Sequence, residues 1–245
     1  MKINKGIQYL LSILTILIGV MLVIKNTSNS NINFMLFRPY LGLVMSGFLW
    51  TVLISLIIFI LSFILGFIMF FTGRSKSYYL KYLTSHITDL MFGTPMLVVV
   101  ILTYFFVGTA LNIDSKLFWG IASLTVYFSP FMMKLYLGAY ESIDNNQIIV
   151  CDLFGFSKWQ MYRYIILPQM LRIMLPPLSG NLATIIKSSS LLYLIGFNEL
   201  YYNITTIQAK TFAFTEGYLV MLVLYLIITI PLLRLTDYLE ARIKT

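Results

Sequence analysis

The sequence predicts an all-α fold, a polytopic bundle of transmembrane helices. Of its 245 residues, 59% are hydrophobic and 11% are charged, and the mean hydropathy is +0.87. Water-soluble domains carry about 25% charged residues, so this composition indicates an integral membrane protein. A bilayer core of about 30 Å requires roughly 20 apolar helical residues per crossing. Six segments meet this requirement: Ile7–Ile24, Leu41–Phe71, Ser85–Gly108, Leu117–Leu137, Leu178–Phe197 and Tyr218–Thr236.

The first segment resembles a signal peptide in having Lys2 and Lys5 before an apolar run. Its apolar run, Ile7–Ile24, is long for that role, which favours a retained membrane anchor. Residues 1–40 are therefore predicted to form an N-terminal transmembrane anchor and an external loop. The second segment, Leu41–Phe71, is long enough to cross the bilayer with a tilt.

The basic residues predict the orientation, because cytoplasmic loops carry an excess of Lys and Arg. One side holds Lys2, Lys5, Arg74, Lys76, Lys81, Lys134, Lys158, Arg163, Arg172, Arg234, Arg242 and Lys244, and the other holds Lys25, Arg38, Lys116 and Lys210. Both termini are therefore predicted to lie in the cytoplasm of a multi-pass protein. This asymmetry also accounts for the net charge of +8 without a nucleic-acid partner.

Enzymatic chemistry has little support in the sequence. The chain has one cysteine, Cys151, and one histidine, His86, so it cannot build a Cys/His metal cluster. It also lacks the G-x-x-x-x-G-K-[ST] loop that cradles nucleotide phosphates. An intramembrane enzyme is disfavoured because no nucleophile and base pair is evident. No cofactor is predicted in this chain, and any ATP-driven step would need a separate subunit.

The third predicted span contains the sequence Gly93-Thr94-Pro95. Pro95 lacks a backbone donor and disfavours helical geometry at Thr94, so the helix should loosen there. Freed carbonyls inside a bilayer need protein or water partners, and broken spans are common at solute sites. The alternative is a simple packing kink. Asp89 lies one turn before the break and could pair with a basic group or a solute ammonium.

A polar segment between two spans predicts two short helices. Asp144 or Asn145 can cap a helix that runs to about Phe154, and Gly155 can end it in the left-handed conformation. Ser157 can cap a second helix that continues to Leu167, with a turn marked by Pro168.

The first of these helices carries an apolar stripe. Ile148, Cys151 and Phe154–Gly155 share one face, which nothing in the sequence obviously covers. The stripe could lie in the lipid headgroups, or it could enter a groove on a cytoplasmic protein.

The fifth predicted span places a lysine near the bilayer centre. An unpaired Lys187 would cost about 2.5–3.5 kcal/mol there, so it must face protein or water. Gly180, Thr184, Lys187 and Leu191 follow helical spacing, with Ser188 beside them. This stripe of small and polar residues could pack helices together or line a solute path, and both roles can coexist at a dimer interface.

Four motifs in order resemble the permeases of ATP-binding-cassette importers, and more narrowly the polar amino acid permease family. They are Gly47 with Trp50-Thr51, the segment Asp89–Val98, the spacing from Gly155 to Ile166-Leu167-Pro168, and Lys187–Leu191. The likeness extends over roughly residues 47–240. The chain departs from the family pattern at Phe92, Lys134, Leu137, Ile149-Val150-Cys151 and Ser188. The docking signal survives these changes, whereas the identity of the solute is left open.

The resemblance implies a five-span permease core at residues 41–245, after the single N-terminal span, with a cytoplasmic coupling loop at residues 140–170. It implies cytoplasmic ABC ATPase subunits that hold ATP and Mg, a second permease subunit, an external solute-binding protein and a bacterial cytoplasmic membrane. The coupling residues would be Ile148, Cys151, Phe154, Gly155, Ser157, Leu167 and Pro168, and the path residues Asp89, Gly93, Thr94, Pro95, Thr184, Lys187, Ser188 and Leu191. The alternative is a membrane scaffold or sensor subunit that recruits a cytoplasmic ATPase without transport.

Overall fold

The computed structural model describes residues 32–243, together with Thr15 and Gly19. The predicted first span, Ile7–Ile24, lies outside the described residues except at those two positions. From residue 32 onward, the described chain consists of helices joined by short loops.

The helices follow one another closely along the chain. A 3₁₀ helix at Phe34–Tyr40 leads into α1 (Leu41–Gly73), α2 (Tyr78–Gly93), α3 (Met96–Leu102), a π-helical segment (Thr103–Gly108) and α4 (Lys116–Glu141). Then come α5 (Asn145–Leu153), α6 (Lys158–Met161), a second π-helical segment (Tyr162–Ile166), α7 (Leu167–Ser188), a 3₁₀ helix (Ser189–Ile195), α8 (Leu200–Thr211) and α9 (Phe214–Ile243).

Three of the predicted spans coincide with single helices, namely α1, α4 and α9. Within the described residues, Phe34–Gly73 and Phe214–Arg242 are long and apolar enough to cross a membrane. A third crossing results if the bent pair α2–α3 is counted as one span. The helical, membrane-spanning character is therefore shown, and the count of six spans stays a prediction.

The third predicted span, Ser85–Gly108, is divided between two helices. The helix starts earlier, at Tyr78, and the axes of α2 and α3 meet at 109° across the Gly93-Thr94-Pro95 break. Thr94 is extended there, with φ −106° and ψ 131°. The predicted loosening at this break is thus confirmed, and the helix axis turns sharply there. The physical reason is that proline removes a backbone donor and also restricts the residue before it.

The predicted turn at Pro168 is wrong, and so are the bounds of the span Leu178–Phe197. The helix continues without interruption from Lys158 to Ser188. The π-helical segment at Tyr162–Ile166 shifts the hydrogen-bond register just before Pro168. The Gln169 side chain donates to the Ile165 carbonyl at 2.9 Å. The Ser179 hydroxyl similarly donates to the Pro176 carbonyl at 2.7 Å. These bonds supply partners for carbonyls near the prolines, which lets a membrane helix tolerate them.

The main packing contact joins α1 to α4, and α9 packs mainly against α7. The face of α1 that bears Ile54 and Ile58 is buried against α4, whereas its opposite face is apolar and exposed. The short helix α8 packs against α1 and α9, and α5 packs through Cys151 on a cluster that includes Met161 and Met170.

Candidate functional site

The loop glycine ends α5 as the sequence predicts. Gly155 has φ +72°, its N–H donates to the Asp152 carbonyl at 3.1 Å, and the Phe156 N–H donates to the Cys151 carbonyl at 3.0 Å. These two bonds form a Schellman motif, which requires a left-handed residue at that position. At the other end of α5, the Asp144 side chain accepts the Asn146 N–H at 2.9 Å.

The start of α6 is fixed by a capping box. The Ser157 hydroxyl accepts the Gln160 N–H at 3.3 Å, and the Gln160 side chain accepts the Ser157 N–H at 2.8 Å. The predicted cap at Ser157 is therefore confirmed. Leu167 and Pro168 are exposed and lie within the continuous helix rather than at its end.

The predicted uncovered stripe on α5 is wrong at Ile148 and Cys151, whereas Phe154 and Gly155 are exposed. Cys151 is only 7% exposed and Ile148 is partly buried, because both pack against a cluster that includes Met161 and Met170. The neighbouring apolar residues Val150, Leu153 and Phe154 are 48%, 80% and 78% exposed, and Ile149 beside them is 55% exposed. We call Val150, Leu153 and Phe154 the docking face. Their spacing of three and four residues was visible in the sequence and is the signal that could have identified them.

Aromatic side chains anchor the base of this segment. The rings of Tyr140 and Tyr162 stack with their centroids 6.3 Å apart, and the Arg74 guanidinium lies 3.9 Å from the centroid of Tyr140. Burial raises the pKa of Tyr162, and so does its contact with Tyr140, while Arg74 lowers it. The stacked pair of tyrosines therefore joins this segment to the ends of α1 and α4.

The broken span places Asp89 in the wall of a cavity that is lined by both charged and apolar side chains. The cavity has a volume of about 230 Å³, and its lining includes Arg74, Lys81 and Lys134 as well as Asp89. At the break itself, Gly93 and Pro95 are exposed and Thr94 is partly buried. Lys187 does not line this cavity, so the structure does not bring Asp89 and Lys187 together there.

One face of α7 carries the predicted polar stripe on the surface of the chain. Thr184 and Lys187 are exposed, and Ser188 and Leu191 are partly buried. The Thr184 hydroxyl donates to the Gly180 carbonyl at 3.0 Å, and the Lys187 carbonyl accepts the Ser190 hydroxyl at 2.7 Å. Leu191 belongs to the 3₁₀ helix that follows α7. Thr184 and Lys187 thus face away from the rest of the described chain.

Comparison with known proteins identifies the family. Residues 64–245 match the model of the binding-protein-dependent transport system inner membrane component. The chain belongs to this family. It is accordingly the permease subunit of an ABC importer, and ATP hydrolysis takes place on separate ATPase subunits.

Curated relatives of the permease include two proteins named for glutamine transport. This chain is 28% identical over 166 residues to the probable glutamine ABC transporter permease protein GlnM of Bacillus subtilis. The matched region covers 67% of this chain and 76% of that protein. This chain is 34% identical over 155 residues to the glutamine transport system permease protein GlnP of Escherichia coli, covering 62% of this chain and 70% of that protein.

Two solved structures share the fold of the permease. One is an amino acid ABC transporter crystallised with histidines, with a TM-score of 0.79 and 22% identity over 87% of this chain and all (100%) of that one. The other is the inward-facing MetNI methionine ABC transporter, with a TM-score of 0.67 and 19% identity over 84% of this chain and 96% of that one.

The permease contains a buried acidic residue that the sequence analysis missed. Glu199 is 0% exposed, and its carboxylate accepts the N–H groups of Tyr201 at 2.8 Å and Tyr202 at 2.7 Å. The Tyr225 hydroxyl donates to it at 3.4 Å. Glu199 therefore caps α8 and ties that helix to α9.

Two residues of the first motif that resembles the permease family, Gly47 and Thr51, lie beside Glu199 at the start of α8. The Thr51 hydroxyl accepts the Leu200 N–H at 3.1 Å, and the Asn203 amide donates to the Leu43 carbonyl at 2.9 Å. A Cβ atom on Gly47 would lie 2.8 Å from Asn203 Nδ2 and 2.9 Å from Leu200 Cα. Glycine at residue 47 thus lets α8 approach α1. We call the group Gly47, Thr51, Glu199, Asn203 and Tyr225 the Glu199 joint.

Proposed function

We propose that the permease and a second subunit, either another copy or a paralogue, form the membrane path of an importer for an amino acid. The solute class is supported by the relatives named for glutamine transport and by the shared fold of an amino acid transporter crystallised with histidines. An external binding protein would deliver the solute to this pair, in keeping with the family to which the chain belongs.

The exposed face of α7 is the observation that carries this proposal. Thr184 and Lys187 lie on the surface of a helix whose other face buries Ala183, Ile185 and Ile186. A lysine exposed to hydrocarbon near the bilayer centre would cost about 2.5–3.5 kcal/mol, so this face needs protein or water beside it. A second subunit facing the stripe across a wet path supplies both. The broken helix at Gly93-Thr94-Pro95 and Asp89 would belong to the same path.

The docking face would bind the ATPase, which holds ATP and Mg. Gly155 and Ser157 fix the angle between α5 and α6, and Cys151 and Ile148 anchor α5 from inside. Closure of the ATPase pair on ATP would then move the segment α5–α6 as a rigid body and switch the path between inward-facing and outward-facing states.

The proposed topology has six spans with both termini in the cytoplasm of a bacterial cell. It consists of an N-terminal anchor and external loop at residues 1–40, and a permease core at residues 41–245. A thiol introduced at Gly73 should react from the cytoplasm, and one at Asn29 from outside. The opposite labelling pattern would reject this orientation.

Solute-stimulated ATP hydrolysis in liposomes that contain both subunit types and the binding protein tests the function. Lys187→Leu should insert normally but lose transport or change which amino acids stimulate hydrolysis. Lys210→Leu, a change of an exposed lysine on α8, is the matched control and should leave both properties intact. Full transport with unchanged preference in Lys187→Leu would reject the path assignment. An ATPase that binds without any solute-stimulated hydrolysis would favour the scaffold alternative.

A further inference from the structure

A second cavity lies between the end of α1 and the start of the long helix that begins at Lys158. Its volume is about 330 Å³, and its walls include Phe67 and Phe71 from α1 and Trp159 from α6. Lys158 and Arg163 also line it, and none of the described residues that line it is acidic. The cavity therefore combines an aromatic interior with two positive charges.

The apolar wall of this cavity continues along α1. Leu53, Ile60, Ile64, Phe67 and Phe71 are 49%, 54%, 51%, 37% and 48% exposed and follow helical spacing. An exposed apolar stripe of this length on a membrane helix lies in the hydrocarbon region. An acyl chain can follow the stripe directly into the cavity, whereas a water-soluble ligand would have to leave its hydration behind to occupy it.

The two basic residues select the charge of the occupant. Lys158 and Arg163 are both exposed, one at the start of α6 and one in the π-helical segment. In the proposed topology they lie at the cytoplasmic surface, where the leaflet is anionic and basic pockets between membrane helices bind lipid head groups. A guanidinium is also well matched to a phosphate, because it can donate two parallel hydrogen bonds.

We propose that this cavity binds an anionic phospholipid, with its phosphate at Lys158 and Arg163 and an acyl chain against Phe67 and Phe71. The proposal rests on the cytoplasmic placement of the segment α5–α6. It assigns the cavity to lipid rather than to the ATPase, because the docking face lies on α5 and the cavity opens onto the apolar stripe of α1. Bound lipid would connect the segment α5–α6 to α1 and make ATPase stimulation dependent on lipid charge.

Fluorescence quenching in nanodiscs tests the proposal without any ATPase or binding protein, so its outcome is independent of transport. Trp159 is 70% exposed beside the cavity and should be quenched more by brominated phosphatidylglycerol than by brominated phosphatidylcholine. The variant Trp159→Phe gives the signal of the remaining tryptophans, which is subtracted.

The double variant Lys158→Gln/Arg163→Gln should reduce the selectivity for phosphatidylglycerol by on the order of 30-fold, the effect of two basic residues near a membrane surface. The control Lys76→Gln/Arg172→Gln removes the same charge from the same predicted side but outside the cavity, and it should retain the selectivity. Equal quenching by the two lipids in the unmodified permease would overturn the proposal. Equal losses of selectivity in the two double variants would also overturn it, because they would indicate a general surface-charge effect.

Discussion

The segment α5–α6 and the Glu199 joint are stabilised in opposite ways. The segment's helices are defined by local bonds, such as the Gly155 motif and the capping box of Ser157 and Gln160, and its docking face is open. The joint is buried, and its bonds connect residues far apart in sequence, such as Thr51 with Leu200 and Leu43 with Asn203. We infer that the segment can move as a unit while the joint resists deformation.

Removal of the buried carboxylate should have the largest effect on stability. Glu199→Ala leaves two N–H groups and one hydroxyl without their acceptor. We expect a loss on the order of 2–6 kcal/mol, since each of the two N–H groups left unsatisfied costs about 1–3 kcal/mol and the longer bond from the hydroxyl adds little. The yield of monodisperse protein and its thermal midpoint in detergent measure this effect. Glu199→Gln retains one acceptor oxygen and should be intermediate. A normal yield of Glu199→Ala would show that the joint is not a rigid element.

Close approach of α1 and α8 predicts the next largest effect. Gly47→Ala places a methyl group within 3 Å of the Leu200 backbone, so we expect a loss of about 1–3 kcal/mol from overpacking. Gly42→Ala is the matched control on the same helix, because a Cβ atom there meets nothing within 4 Å. Equal thermal midpoints for the two variants would contradict the assigned contact.

The effect of a substitution at Gly155 on stability should depend only on how readily the new residue adopts the left-handed backbone conformation. A Cβ atom on Gly155 meets nothing within 4 Å, so the cost of Gly155→Val comes from its φ of +72° and should be about 1–2 kcal/mol. We expect normal insertion but weaker solute-stimulated ATP hydrolysis, because the docking face is turned away from its position. Gly155→Asn should keep most of the stimulation, since asparagine adopts the left-handed conformation readily. Comparable stimulation in the valine variant and the unmodified protein would argue against this role.

The smallest effect on stability is expected on the docking face. Leu153→Ser/Phe154→Ala changes two side chains that are 80% and 78% exposed, so the free energy of unfolding should change by no more than about 0.5 kcal/mol per site. Co-purification of the ATPase should nevertheless be lost. Phe106→Ala, at a residue that is 66% exposed in the π-helical segment after α3, is the control and should not affect co-purification. Retention of the ATPase by the double variant would place the contact elsewhere.

Local signals in the sequence predicted the structure well where neighbouring residues decide the outcome. The left-handed Gly155, the cap at Ser157 and the break at Gly93-Thr94-Pro95 were predicted from side chains within a few positions. Pro168 misled the prediction because the compensating π-helical segment has no recognisable sequence pattern.

Long-range packing decided the features that the sequence did not reveal. Glu199 is buried because α1 and α9, which are distant in sequence, enclose it. Cys151 and Ile148 turn inward because α7 provides Met170 on the other side of the segment. The sequence showed that α5 is amphipathic but not which of its two apolar faces the rest of the chain would cover.

In the proposed mechanism, the uninterrupted helix from Lys158 to Ser188 would act as a lever between the loop and the membrane interior. At about 1.5 Å per residue, the distance along it from Lys158 to Lys187 is roughly 44 Å. A rotation of about 5° around one end would displace the other end by about 4 Å, which is the diameter of a small chemical group and enough to open or close a narrow passage. The π-helical segment at Tyr162–Ile166 is the one place along this lever where the described backbone departs from α-helical spacing. Its stiffness should therefore set how much of a movement at the ATPase reaches Lys187.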